Sequence, residues 1–216
     1  MRETESAILF DLDGTLIDSA DGILASLHYA FDRCRCRTTR APSPDMIGPP
    51  LPVVLGSILK AEDSGKLNEL IAAFEEHYDQ YGLSNTRPYE GVDELLIKLS
   101  SEIQLIIVTN KRHKPTKKII ENLCWADYFS ATYTLDMFPK KGANKSDMIN
   151  ACLLRFSLKN QRCLYVGDRE EDAVAATISG VPFIAALWGL SNEARQIMKD
   201  RYCSIETPDD LIGKLP

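Results

Sequence analysis

The sequence predicts an α/β protein: an open parallel sheet with a helical domain inserted after its first strand. Three observations carry this expectation. Four short aliphatic or β-branched runs each end in polar residues, amphipathic helical patterns separate the later runs, and a long strand-free stretch follows the first run at once. Alternation of this kind lays parallel strands side by side with helices on their faces.

The first run is AILFD, residues 7–11. The stretch after it, residues 18–82, contains no convincing strand. Ile23, Leu27, Phe31 and Cys34 mark one helical face there, and Leu67, Leu70, Ile71, Phe74 and Tyr78 mark another. The Pro-rich piece APSPDMIGPPLP breaks the region in the middle. Such an insertion is too large for a plain loop and reads as a lid or cap, giving a core of residues 1–17 and 83–216 and a cap of residues 18–82. The turn IGPPL, with Met46 to Leu55 around it, is expected to choose the substrate by closing over the core. IQLIIVTN (103–110), CLYVGD (163–168) and PFIAAL (182–187) read as further buried parallel strands. Helical patterns follow Gly91, run around residues 114–124, start at Lys145 and precede Gly180; in the third, Ile149, Cys152, Leu153 and Phe156 form the apolar stripe. The core is thereby Rossmann-like.

Composition excludes several function classes. The net charge of −6 argues against non-specific nucleic-acid binding, which depends on surplus Lys and Arg. Arg2, Glu3 and Glu5 precede an apolar run of only four residues, Ala7 to Phe10, and the later stretch GVPFIAALWGL is too short to cross a bilayer. A cytoplasmic protein without a membrane partner is expected. The six cysteines are dispersed and read as buried free thiols; Cys34 and Cys36 have no matching ligand pair that would make a zinc site.

Ligands of open α/β sheets bind beyond the carboxyl ends of the strands. The polar residues there are Asp11, Asp13, Thr109, Asn110, Asp168 and, one helical turn later, Asp172. Two carboxylates at the end of a buried strand repel each other and lose hydration, so they need a cation, a hydrogen-bond network or a chemical role. Hard oxygen donors of this kind suit Mg²⁺ rather than zinc or copper. The bland readings are a turn cap for Asp11 and Asp13, a strand terminus for Thr109, and a first-turn acid favoured by the helix dipole for Asp172.

Taken in order, DLDGTL, VTN, Lys145 and GDREED resemble the haloacid dehalogenase superfamily of phosphotransferases, over nearly the whole chain. GPPL, RPYEGV and VGDREEDAVAA resemble, more narrowly, its phosphoglycolate phosphatase-like branch with a helical cap. The resemblance implies a Mg²⁺-dependent phosphomonoester hydrolase acting on a small phosphorylated metabolite through an aspartyl-phosphate. It implies Asp11 as nucleophile, Asp13 as general acid and base, Thr109, Asn110 and Lys145 as phosphate binders, and Asp168 as a metal ligand beside Asp11 and the backbone carbonyl of Asp13. Asp172 would hold the metal's water shell or assist directly. Two unit charges about 4 Å apart repel by roughly 4 kcal/mol at an effective dielectric of about 20, so Asp11 approaches a phosphate dianion only with cations nearby. Lys140 and Lys141 compete with Lys145, which is favoured because it opens the amphipathic stripe.

Two basic runs remain. Arg33, Arg35, Arg37 and Arg40 read as a solvated helix end, whereas KRHKPTKK from residue 111 would raise the local phosphate concentration beside the site. A phosphomutase of the β-phosphoglucomutase kind, with the same core chemistry, and a non-catalytic regulator on the same scaffold stay open as rivals; oligomeric state is silent.

Overall fold

The computed structural model describes residues 6–138 and 142–216. Lys140 and Lys141, with Arg2, Glu3 and Glu5, lie outside the described residues. The chain divides into two compact units, Met1–Ile17 with Pro88–Pro216, and Asp18–Arg87.

Along the chain the elements are β1 (Ala7–Phe10), β2 (Ile17–Asp18), α1 (Ala20–Arg33), α2 (Leu51–Ile58), α3 (Leu67–Gln80), β3 (Arg87–Pro88) and α4 (Val92–Ser100). There follow β4 (Gln104–Thr109), α5 (His113–Asn122), β5 (Ala131–Thr134), α6 (Lys145–Arg155), β6 (Cys163–Gly167), α7 (Glu170–Ile178), β7 (Phe183–Ala186), α8 (Asn192–Arg201) and β8 (Ser204–Ile205). Short 3₁₀ turns fill several connections, and β2 pairs with β3 as a separate two-stranded sheet.

The first unit is built on a six-stranded sheet in the order β5-β4-β1-β6-β7-β8, every pair parallel. β1 lies between β4 and β6, with Phe10 opposite both Ile107 and Val166. All four of its residues are buried, which is why it reads as an unbroken apolar run. From β1 the chain adds β4 and β5 on one side, then crosses to add β6, β7 and β8 on the other. The strand order therefore reverses beside β1, the place where open α/β sheets bind ligands. One face of the sheet, with Leu9, Ile106, Val108 and Tyr165, packs on Met148, Ile149, Cys152 and Leu153 of α6.

The α6 start is set by a capping box: the Asn144 side chain accepts from the Asp147 N–H at 3.1 Å, and the Asn144 N–H donates to Asp147 Oδ2 at 3.1 Å. That fixes Lys145 as the first helical residue. The stripe Ile149, Cys152 and Leu153 is buried as its spacing predicts, and Phe156 forms the half-buried C-cap.

Unit Asp18–Arg87 is helical, with a core of its own made by Leu27 and Phe31 of α1, Val54, Leu55 and Ile58 of α2, and Leu70, Phe74 and Tyr78 of α3. The sequence puts the end of this segment at residue 82; the compact unit runs on to Arg87, whose guanidinium pairs with Asp18 at 3.2 Å. Met46 is 4% exposed and belongs to this core, as do Val54 and Leu55. These three side chains pack the helical unit, while Leu51 is half-buried.

Six elements escape the pattern reading, among them the two-residue strands β2 and β3. β5 is an edge strand whose Ala131, Thr132 and Tyr133 are only half-buried, β8 has two residues, α8 buries Met198 alone, and α2 begins at the end of the Pro-rich break and runs beyond it to Ile58. All six cysteines are free thiols, but only Cys152 and Cys163 are buried; Cys34 and Cys36 are half-buried, and Cys124 and Cys203 are exposed. Among the described residues no helix is long and apolar enough to cross a membrane.

Leu9 is fully buried at the centre of β1. Leu9→Ala is expected to lower unfolding stability by about 2–5 kcal/mol, through lost burial and the cavity left behind. Urea unfolding at fixed pH checks it; a loss below about 1 kcal/mol contradicts a close-packed central strand.

Candidate active site

The site is assembled where β1, β4 and β6 end. After Phe10 the Asp11 N–H still donates to the Val166 carbonyl at 2.9 Å, so Asp11 is held as a last rung of the sheet. The chain then turns sharply around Leu12, whose carbonyl accepts from the N–H groups of Thr15, Leu16 and Ile17. Gly14 has φ +87, and a Cβ there would fall within 3.0 Å of the Asp168 carboxylate. Glycine is required twice over, for the left-handed backbone and for the close approach.

Asp168 follows β6, and Asp172 lies in the first turn of α7, where its Oδ2 accepts the Arg169 N–H at 3.2 Å. From α6, Lys145 reaches the same place: its Nζ donates to Asp11 Oδ1 at 2.8 Å and to Asp172 Oδ1 at 2.5 Å. The ammonium also stands 5.9 Å from the Tyr165 ring centroid, and the Tyr165 hydroxyl donates to the Val108 carbonyl at 2.8 Å. Asp11, Asp168 and Asp172 each offer a carboxylate oxygen within 4.8 Å of the others, and all three are buried.

Among the described residues, three carboxylates that were all ionised would outnumber the Lys145 ammonium that bridges two of them, in a place with little water. Burial, reinforced by Asp172 and Asp13 and opposed by Lys145, pushes Asp11 up to about 7. Burial and the neighbouring Asp172 and Asp11 raise Asp168 well above the usual carboxylate range. Burial alone would lower Lys145, but Asp11 and Asp172 outweigh it and hold the lysine well above its ordinary value. A cluster of this kind is short of positive charge. Among the described residues its donors are hard carboxylate oxygens, with no nitrogen or sulfur, the chemistry that fits Mg²⁺.

Of the residues expected from sequence, Asp11, Lys145, Asp168 and Asp172 are brought together. Asp172 makes an ion pair with Lys145, a closer role than holding a water shell. Asp13, from which the sequence expects a backbone carbonyl ligand, lies outside the carboxylate set; its Oδ1 accepts Lys111 Nζ at 2.8 Å. Thr109 is 1% exposed and its Oγ1 accepts the Lys111 N–H at 3.2 Å, while Asn110 is half-buried.

Two residues were missed. Lys111 reads in sequence as one member of a basic run, yet its side chain is only 6% exposed and serves Asp13. Its place directly after Asn110, at the carboxyl edge of β4, was the available signal. Thr15 reads as turn filler, yet its hydroxyl donates to Asp168 Oδ1 at 3.1 Å. The arginine run is surface, with Arg37 beside Glu62 and Asp63 and Arg40 on Asp45.

An open parallel sheet that gathers buried carboxylates and a lysine at its switch point defines an α/β enzyme scaffold with a cation-seeking site. The chain belongs to the haloacid dehalogenase-like hydrolase family, whose sequence pattern matches residues 8–186. It is 29% identical to a phosphoglycolate phosphatase of Aquifex aeolicus over 210 residues, covering 95% of this chain and 94% of that protein. It is 26% identical over 194 residues to the tyrosine-protein kinase PtkA of Mycobacterium tuberculosis, and spans 64% of that protein's length. Among solved structures, a haloacid dehalogenase-like family hydrolase from Streptococcus pneumoniae superposes with a TM-score of 0.82 at 25% identity, over 99% of each chain.

The raised Asp11 gives a pH dependence. Between its ordinary value of 3.8 and about 7 the folded, metal-free protein holds a proton at Asp11 that the unfolded chain has lost. That contribution is complete below 3.8 and fades as pH rises to about 7, so stability falls across the window. Asp11→Asn is expected to flatten this fall in urea midpoints measured without metal; parallel curves for the variant and the natural protein contradict the assignment of the proton to Asp11.

Proposed function

We propose that this chain is a Mg²⁺-dependent phosphomonoester hydrolase that works through an aspartyl-phosphate on Asp11, with a small phosphorylated metabolite as substrate. The observation that carries the reading is the buried Asp11 bound to Lys145 beside Asp168. Further support comes from Asp13, two residues on and outside that cluster, and from the named relatives. The net charge of −6 fits a small cytoplasmic metabolite better than nucleic acid.

In this reading Asp11 and Asp168, with the backbone carbonyl of Asp13, would hold Mg²⁺, which when bound supplies the positive charge that lets a carboxylate meet a phosphate dianion. A carboxylate oxygen of Asp11 attacks phosphorus as the ester P–O bond breaks, and Asp13 gives its proton to the departing oxygen. Asp13 then takes a proton from the water that attacks the phosphorus of the acyl phosphate, which releases inorganic phosphate and restores Asp11. Lys145, kept charged by Asp11 and Asp172, offsets charge on the phosphoryl oxygens. The Thr109 hydroxyl and the Asn110 N–H donate to the same oxygens. Asp172 positions Lys145 through their ion pair. We assign to the helical unit the choice of leaving group, since the core residues named here all address the phosphoryl group.

The purified chain is therefore expected to release phosphate from a panel of phosphomonoesters, to stop in EDTA and to resume with Mg²⁺. Asp11→Asn should lower kcat by at least about 10³-fold with the fold retained, and Asp13→Asn by about 10²–10⁴-fold. Lys145→Ala should cost far more than Lys140→Ala or Lys141→Ala. Phosphate release measured beside product analysis separates the rivals: an isomerised ester without net phosphate release marks a mutase, and no turnover on any ester marks a regulator.

A further inference from the structure

Thr15 is held at both ends. Its side-chain hydroxyl donates to Asp168 Oδ1 at 3.1 Å, and its backbone carbonyl accepts the indole N–H of Trp188 at 2.8 Å. Thr15 is fully buried. Trp188 comes from a turn directly after β7 that is closed by the Leu190 N–H on the Leu187 carbonyl at 3.2 Å. The turn is anchored to the far edge of the sheet by the Leu187 N–H on the Ile205 carbonyl at 3.1 Å. The next residue, Gly189, lies against the Gly14 carbonyl and the Tyr89 hydroxyl so closely that a Cβ would meet both within 3.0 Å. Gly14 in turn lies against the Asp168 carboxylate, again with no room for a Cβ. A continuous line of contact thus runs from the turn after β7, through Gly14 and Thr15, to one carboxylate of the buried cluster.

The physical need for such a line follows from the cluster. Asp168 shares its surroundings with Asp11 and Asp172, and like charges this close drive a carboxylate to rotate apart from its neighbours. A hydroxyl donating to one oxygen opposes that rotation and fixes the direction of the other oxygen's lone pairs. The hydroxyl holds its aim only if the Thr15 backbone is itself fixed, and the Trp188 hydrogen bond supplies that restraint from outside the cluster.

We propose that Thr15 and Trp188 are positioning residues that set the Asp168 carboxylate for a divalent cation, so that cation affinity depends on two side chains that do not coordinate it. The proposal rests on the Mg²⁺ site of the reading above. It assigns a role to the Trp-Gly pair after β7, which the proposed chemistry does not otherwise use. Groups hydrogen-bonded to metal ligands commonly tune affinity in this way.

The test measures cation binding directly on the full chain without substrate, using the free-ion EPR signal of Mn²⁺ and calorimetric titration with Mg²⁺. Thr15→Val keeps the side-chain shape but removes the donor, and is expected to weaken binding about 10–100-fold, whereas Thr15→Ser stays within about threefold of the natural protein. Trp188→Phe, which keeps a ring but loses the N–H, should weaken binding by about 3–10-fold. Because Trp188 acts through Thr15, adding Trp188→Phe to Thr15→Val should cost no further affinity. Metal-free melting temperatures run in parallel: variants that melt lower yet bind both ions as the natural protein does overturn the positioning role and leave the cation site standing. A natural protein that binds neither ion saturably overturns the Mg²⁺ site and the positioning role together. If Thr15→Val does not fold, the comparison of Trp188→Phe with the natural protein decides the matter alone, with unchanged affinity as the contrary result.

Discussion

Charge balance at the end of one strand governs this molecule. Asp11, Asp168 and Asp172 bring three carboxylates within 4.8 Å of one another where water is largely excluded, and Lys145 bridges two of them. Such a cluster costs folding free energy unless more positive charge arrives. Much of the local architecture serves to hold it together. The sheet ladder extends one residue to fix Asp11, the α6 capping box starts the helix at Lys145, and Gly14 and Gly167 leave room for carboxylates that a Cβ would displace. A bound cation would relieve the cluster, and the proposed phosphoryl chemistry makes use of that need.

The second ion pair has a different character. Asp13 and Lys111 are both largely buried, but they form a balanced pair outside the carboxylate cluster. Two acids separated by a single residue in sequence are thus each paired with a lysine at 2.8 Å, and Asp11 in addition shares its space with Asp168 and Asp172. The roles proposed for the two, nucleophile and proton carrier, therefore rest on their order and position at the end of β1 rather than on these ion pairs.

Much of this was legible in the sequence, for identifiable reasons. The central strands are buried on both faces, so AILF, QLIIVT and CLYVG stand out as continuous apolar runs, and their polar successors mark the carboxyl edge. Elements at the sheet margins were invisible because they bury little: β5 mixes Thr and Tyr with Ala, and α8 has one buried side chain. In the site, Asp11, Lys145, Asp168 and Asp172 were named in advance, since residue type and order sufficed. Lys111 and Thr15 were not, because their importance lies in a partner far along the chain, Asp13 in one case and Asp168 in the other. Met46, next to a conspicuous Gly-Pro-Pro turn, invites a functional reading, and its burial adds a packing role that the sequence does not announce.

The central claim is that Asp11 is the atom-bearing partner of the substrate rather than a passive counter-charge to Lys145. Rapid acid quench during the first turnover with Mg²⁺ and a reactive phosphomonoester, followed by peptide mass spectrometry, tests it most directly. The account predicts a phosphoryl group on the peptide that contains Asp11, localised to that residue and absent when Mg²⁺ is withheld. Steady turnover with Asp11 unmodified, or a phosphoryl group found on any other side chain, would contradict it.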